Sequence, residues 1–230
     1  EACGAICFDA FAEIAERHGF NPDFPNAEIP TGLLSALNSH PGFYAVVAEA
    51  EGRIVGSNFV DERGPVGGIG PVTVAQQEQD NGIGRQLMED VIKRADENDR
   101  PLRLTQAAYH ARSLSLYAKL GFQVRDALCV MRGELPDTMP PGRTVRPATS
   151  DDLEACSALC KKVHAHDRDG ELADAIAQGS AMLVEHNGEI SGYCTLLGYF
   201  GHAVAESNDD LKALIASYDS INGPGFLLPA

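Results

Sequence analysis

Apolar residues recur every four positions at Ile83, Leu87, Val91 and Ala95, with Met88 and Ile92 beside them. That period predicts a helix of about Gly84 to Glu97 with one face laid on a sheet. Ahead of it, the β-branched run Val72-Thr73-Val74 predicts a strand, and a polar loop joins the two. Beyond it, Pro101–Gln106 reads as the next strand, and 111–122 as a short helix closed by a Gly121 cap. A hairpin, Phe122–Arg125 and Leu128–Gly133, is expected to follow.

The loop carries the chemistry. Gln79-Asp80-Asn81-Gly82-Ile83-Gly84-Arg85 places two glycines where a strand turns into a helix. The first amides of a helix lack internal partners and sit at the positive end of its dipole, so such a corner suits a phosphate or pyrophosphate. The bland reading is an ordinary strand–turn–helix corner. A dinucleotide fingerprint would need a third glycine near Leu87, and a triphosphate loop would end in Gly-Lys-Ser/Thr; neither is there.

Two motifs in this order, Gln79-x-x-Gly82-x-Gly84 and Leu116-Tyr117-x-Lys119-x-Gly121-Phe122, resemble the GNAT superfamily of N-acetyltransferases over about Ala45 to Glu134. The resemblance implies acetyl-CoA as acyl donor, with Gln79, Asp80, Asn81, Gly82, Ile83, Gly84 and Arg85 around its pyrophosphate. Val72, Thr73 and Val74 would form a strand splayed from its neighbour and pair with the pantetheine arm. The Val74 amide would face the thioester carbonyl, and Tyr117 would protonate the departing thiolate. An amine would attack directly in a ternary complex, with no metal. Two departures stand out: Asp80 sets a negative charge beside an expected polyanion, leaving Arg85 to supply the positive one, and His110 stands where relatives often have Asn. His110, Asp61 and Glu62 are the candidates for a general base.

An internal repeat is also visible. Glu1-Ala2-Cys3-Gly4-Ala5-Ile6-Cys7 returns as Glu154-Ala155-Cys156-Ser157-Ala158-Leu159-Cys160, and 46–56 matches 182–192, each of the latter reading as two strands around a tight turn. Thr144–Leu153 reads as a strand followed by Ser150 as helix N-cap. The expected fold is α/β: a mixed, mostly antiparallel central sheet flanked by helices, in two tandem copies. Domains of 1–134 and 144–230 would be joined by the Pro-rich Leu135–Arg143. The first copy lacks an opening strand and the second a closing helix and hairpin, so a fragment is expected. The second copy has no Gly-x-Gly over Phe200–Leu211, and Glu206, Asp209 and Asp210 stand at its helix start. Those carboxylates would repel a pyrophosphate, so this copy is expected to be degenerate.

The 230 residues hold 18 Lys+Arg against 33 Asp+Glu, a formal net charge of −15. That argues against nucleic acid and anionic membrane partners and favours a cationic amine acceptor, a small molecule or a peptide. A homodimer is allowed. Phe20 and Phe24, in a Pro-rich stretch, could shape an apolar acceptor cleft or tuck onto the core. Cys156, Cys160 and His164 share a helical face, with His166 nearby, but the first copy has Cys3, Cys7 and Phe11 there, so a core face is expected rather than zinc. With no Cys-x-x-Cys, a reducing cytoplasm is the expected compartment. The rival to an enzyme is a CoA-responsive binding or scaffold protein.

Overall fold

Helix α1 (Ala2–Arg17) buries Gly4, Cys7 and Ala15 along one face, and α2 (Glu28–Ser39) buries Pro30 and Leu34 against it. In the computed structural model, which describes residues 1–221 and 223–230, the chain falls into two units, Glu1–Arg125 and Asp126–Ala230. The first continues with β1 (Phe43–Ala50), β2 (Arg53–Asp61), β3 (Gly67–Ile69) and β4 (Thr73–Val74). Then come α3 (Ile83–Glu97), β5 (Leu102–Arg103) and α4 (Ala111–Lys119). The sheet runs β1-β2-β3-β5, with β4 also on β2; only the β3–β5 pair is parallel, and α3 makes its crossover.

Alternation along β2 divides the core. Phe59 joins Cys7, Phe24 and Leu34 on the α1–α2 side, while Val60 joins Ile69, Met88 and Val91 on the α3 side. Leu87, Met88, Val91 and Ala95 are the buried stripe of α3, as the period of four requires. Asn58, fully buried, is satisfied by the Leu87 carbonyl at 3.2 Å and by the Phe59 amide at 2.8 Å.

The second unit holds β6 (Leu128–Met131), β7 (Arg143–Pro147), α5 (Leu153–His164), α6 (Asp169–Ala177), β8 (Met182–His186) and β9 (Glu189–Cys194). It ends with β10 (Ala203–Ala205), α7 (Asn208–Ala216) and β11 (Phe226–Pro229). An antiparallel sheet β10-β9-β8-β7 stands beside a two-stranded ribbon, β11-β6.

Two expectations differ from this arrangement. Residues 122–125 form no strand, and β6 pairs with β11, Leu128 opposite Pro229, instead of folding back in a hairpin. Asp126-Ala127 offers none of the glycine or asparagine that a two-residue hairpin turn needs, and Phe122 is held by packing near Met88 and Val91. The expected cap Ser150 instead opens a 3₁₀ turn, Ser150–Asp152, that leads into α5 and is capped by Thr149: Asp152 accepts from the Thr149 amide at 2.8 Å. Arg146 grips that carboxylate with two bonds of 2.8 Å.

The matched hairpins share two details. β1 and β8 each shift register at the corresponding place, between Ala48 and Glu49 and between Val184 and Glu185. A Cβ on Gly56 would lie 2.9 Å from the Thr73 carbonyl oxygen, and one on Gly192 would lie 3.0 Å from that of Val204. In both, the next strand crosses too closely for any side chain.

Cys156 and Cys160 are fully buried, and all six cysteines are free. Among the described residues no group of three or more His, Cys, Asp or Glu could hold a metal, and no helix is long and apolar enough to cross a membrane.

Candidate functional site

Among the described residues β4 pairs with a strand on one side only; on the other, the Gln79 side chain bonds the Val74 carbonyl. Thr73 and Val74 pair with Ser57 and Gly56 of β2, while β5 reaches no further than Gly67 and Gly68 of β3. The two strands therefore part at β4. The Ala75 amide donates to Val55 at 2.8 Å, and alternation along the strand turns the Val74 N–H the other way, to the open edge. Thr73 is buried, with its hydroxyl 3.2 Å from that of Ser57, and Val72 packs near Val60 and Ile69.

From β4 the chain makes a 3₁₀ turn at Gln76–Glu78 and enters α3 through Gly82, at φ +81°, a left-handed conformation that glycine adopts without penalty. No side chain caps α3, and its first turn carries no acid, so the amides of Ile83, Gly84 and Arg85 point out unclaimed by local carboxylates. Gly84 sits under Leu116 and Val74: a Cβ there would meet them at 3.6 and 3.8 Å. Asn81 is exposed, and Arg85 is paired to Glu89 at 3.1 Å.

Gln79 ties the loop down. Its Nε2 donates to the Val74 carbonyl at 3.1 Å, and its Oε1 accepts from Arg112 in the first turn of α4. Asp80, at φ +66°, turns its carboxylate to 3.5 Å from the same Arg112. The acid noted in the sequence is thus drawn towards a cation.

α4 carries the second motif. Tyr117 packs edge-on to Phe122, with ring centroids 6.1 Å apart, and burial raises its pKa above the ordinary phenol value while a Ser113 hydrogen bond opposes the rise. His110 precedes the helix and bonds Ser113 through Nδ1. Burial, then Arg112, His18 and Arg17, lower its pKa below the usual histidine value, so the ring is neutral at pH 7. Asp61 and Glu62 lie at the far end of β2, five residues or roughly 17 Å of strand beyond Gly56. They are engaged by Arg63 at 2.7 Å and by Arg94 at 2.7 Å. The structure does not bring them to Val74.

No local motif signals two charged groups here, Arg112 and Asp23. Arg112 opposes the dipole of its own helix, an unfavourable placement that would have been the clue. Asp23, on the α1–α2 connection, is half-buried with no hydrogen bond or ion pair among the described residues, and burial raises its pKa. Its charge is felt by Tyr109, whose ring stacks with Phe20 at 4.5 Å and with His18 at 5.2 Å. Of the two phenylalanines, Phe20 is exposed and Phe24 is core.

In the second unit, the corner from β10 to α7 is closed by its own side chains. Only Glu206 and Ser207 separate β10 from α7; the Ser207 Oγ accepts from the Asp210 amide at 3.2 Å, and buried Asp210 meets Arg143 at 3.2 Å. A cavity of about 230 Å³ lies beside β10, lined by Leu196, Ala203, Leu211 and Leu228 among others.

Residues 25–136 match the acetyltransferase (GNAT) domain model. The GNAT-matched segment runs from just before α2 to just beyond β6 and so contains β4, the loop and α4. No curated protein matches the chain. Among solved structures, a protein assigned as an acetyltransferase from Pyrococcus horikoshii is similar at TM-score 0.62 and 18% identity, over 94% of this chain and 73% of its own. It shares the fold. A transcriptional regulator from Bacillus halodurans (TM-score 0.45, 20% identity, 57% of this chain and 93% of its own) is more distant. So is a predicted acetyltransferase from Clostridium acetobutylicum solved with acetyl-CoA (TM-score 0.38, 16% identity, 52% and 85%).

Proposed function

We propose that the first unit is an acetyl-CoA-dependent N-acetyltransferase that acts on a primary amine by direct attack in a ternary complex. The observation that carries this is the order of backbone: the edge of β4 that no strand covers leads through one loop into the uncapped start of α3, and α4, with Tyr117, is tied to that loop through Arg112 and Gln79. An extended pantetheine arm would pair with that edge as an added strand, and the pyrophosphate would take the amides of Ile83, Gly84 and Arg85. The Val74 N–H would meet the oxyanion that forms when the amine attacks. Tyr117, kept protonated at neutral pH by burial, would protonate the leaving thiolate. Asp23 supports a cationic acceptor, since a half-buried carboxylate without a partner suits an ammonium group.

The second unit is, on this reading, a copy that has lost the donor site. Its support is the shared register shift, the paired glycines Gly56 and Gly192, and an α7 start already filled by Ser207 and Asp210.

Calorimetry with acetyl-CoA tests the reading. The chain should bind one equivalent, and Gly84→Glu, which drives a carboxylate into the loop, should abolish binding. A folded chain that binds no acetyl-CoA overturns the proposal.

A further inference from the structure

We infer that β6 is the strand through which two copies of this chain associate, antiparallel about a two-fold axis at Cys129. The ribbon β11-β6 has two outer edges, and they are built differently. The Ala230 amide donates to the Ala127 carbonyl at 2.9 Å, which sets the alternation: Ala127, Cys129 and Met131 turn their backbone groups to β11. Leu128 and Val130 turn theirs outward, where no described strand meets them. On the far edge, Pro229 stands opposite Leu128, at a position whose N–H would point outward, so that edge is blunted by proline. The β6 edge has no such guard. Its four residues are all apolar and all exposed, with Leu128, Val130 and Met131 at 42%, 49% and 42%. A two-stranded ribbon is marginal on its own, and pairing the β6 edges of two copies would make it one antiparallel sheet of four strands.

The register follows from the same alternation. Within β6 only Leu128 and Val130 offer outward backbone groups, so a two-fold antiparallel pair centres on Cys129 or on Val130. Centring on Val130 would set Leu128 against Arg132 of the other copy and Asp126 against Glu134, two like charges. Centring on Cys129 sets Leu128 against Val130 and Asp126 against Arg132, an opposite-charge pair that symmetry makes twice. The charges flanking the strand therefore select the second register. Arg132 donates its Nε to the Pro224 carbonyl, and its terminal nitrogens are the donors for the incoming carboxylate. At the axis the two Cys129 residues form a non-hydrogen-bonded pair, with Cα atoms about 4.5 Å apart.

The association is independent of the acetyltransferase reading. The full chain, reduced and without ligand, is followed by sedimentation equilibrium at micromolar and higher concentrations, where it should dimerise. A short bis-maleimide should then join two chains, and Cys129→Ser should abolish the cross-link. Val130→Pro removes an N–H that points outward and spares the bonds to β11, so it should leave the chain monomeric with its circular dichroism unchanged. Asp126→Arg turns both ion pairs repulsive and should weaken the dimer roughly tenfold; adding Arg132→Glu should restore it. A chain that stays monomeric throughout overturns the proposal. So does a dimer that fails to cross-link through Cys129, persists in a folded Val130→Pro chain or ignores the charge reversal.

Discussion

The corner from β4 to α3 and the corner from β10 to α7 solve one problem in opposite ways. Each takes a strand into a helix and leaves the first helical amides to be satisfied. In the second unit Ser207 and Asp210 satisfy them from within, at a link of two residues. In the first unit a longer link ends in a left-handed Gly82 and supplies no cap. Exposed backbone donors can be met by water or by a ligand, and on the acetyl-CoA reading the open corner is where the pyrophosphate would be received. The closed corner marks where stability took precedence.

The comparison can be broken most strongly at Asp210. Asp210→Ala takes the buried carboxylate from part-buried Arg143, which keeps its bond to the Pro141 carbonyl, and removes the cap partner; it should cost roughly 2–3 kcal/mol in denaturant unfolding, leaving acetyl-CoA binding by a chain that still folds unchanged. Burial pushes the Asp210 pKa up, but Ser207, Ser191 and Arg143 outweigh it and set the folded value below the ordinary one. A carboxyl whose pKa is lowered on folding contributes stability above its unfolded pKa and loses it as pH falls. The gap between parent and variant should therefore narrow on acidification through and below the ordinary carboxylate range.

At the open corner, Tyr117→Phe should lower kcat by about 10²-fold or more, the usual contribution of a general acid, with the acetyl-CoA Kd unchanged by calorimetry. A rate within a factor of a few would point to binding without chemistry in that position. Arg112→Gln should weaken acetyl-CoA by only about three- to tenfold and flatten the salt dependence of binding, as expected for a partly exposed charge. The smallest effect belongs to Ser207→Ala, a lost cap of about 1 kcal/mol. It should register in unfolding and leave acetyl-CoA binding untouched.

What was legible in the sequence was local. The stripe Leu87, Met88, Val91 and Ala95, the β-branched lead into it and the two glycines between them each act within a few residues, and α3, β4 and the loop follow. The pairing of β6 with β11 has no such signal, because it joins segments at opposite ends of the second unit. A hydrophobic run near another invites a hairpin on paper even when, as at Asp126-Ala127, the turn chemistry is missing. Arg112 and Asp23 were hidden for a related reason. Each reaches its neighbours only after α4 and the α1–α2 connection have packed, and neither belongs to a motif. Thr149 took the cap from Ser150 because Asp152, already locked to Arg146, reaches the Thr149 amide and not the next one.

Gln79 has a consequence for binding entropy. Bonded to the Val74 carbonyl on one side and to Arg112 on the other, it holds the loop against both the strand and α4 before any ligand arrives. The loop's disorder is then surrendered during folding and not at the moment of binding. On the acetyl-CoA reading, Gln79→Ala would leave the amides of Ile83 to Arg85 chemically intact yet make association entropically more costly and slower. The residue acts as a stay that keeps the loop in its receiving shape.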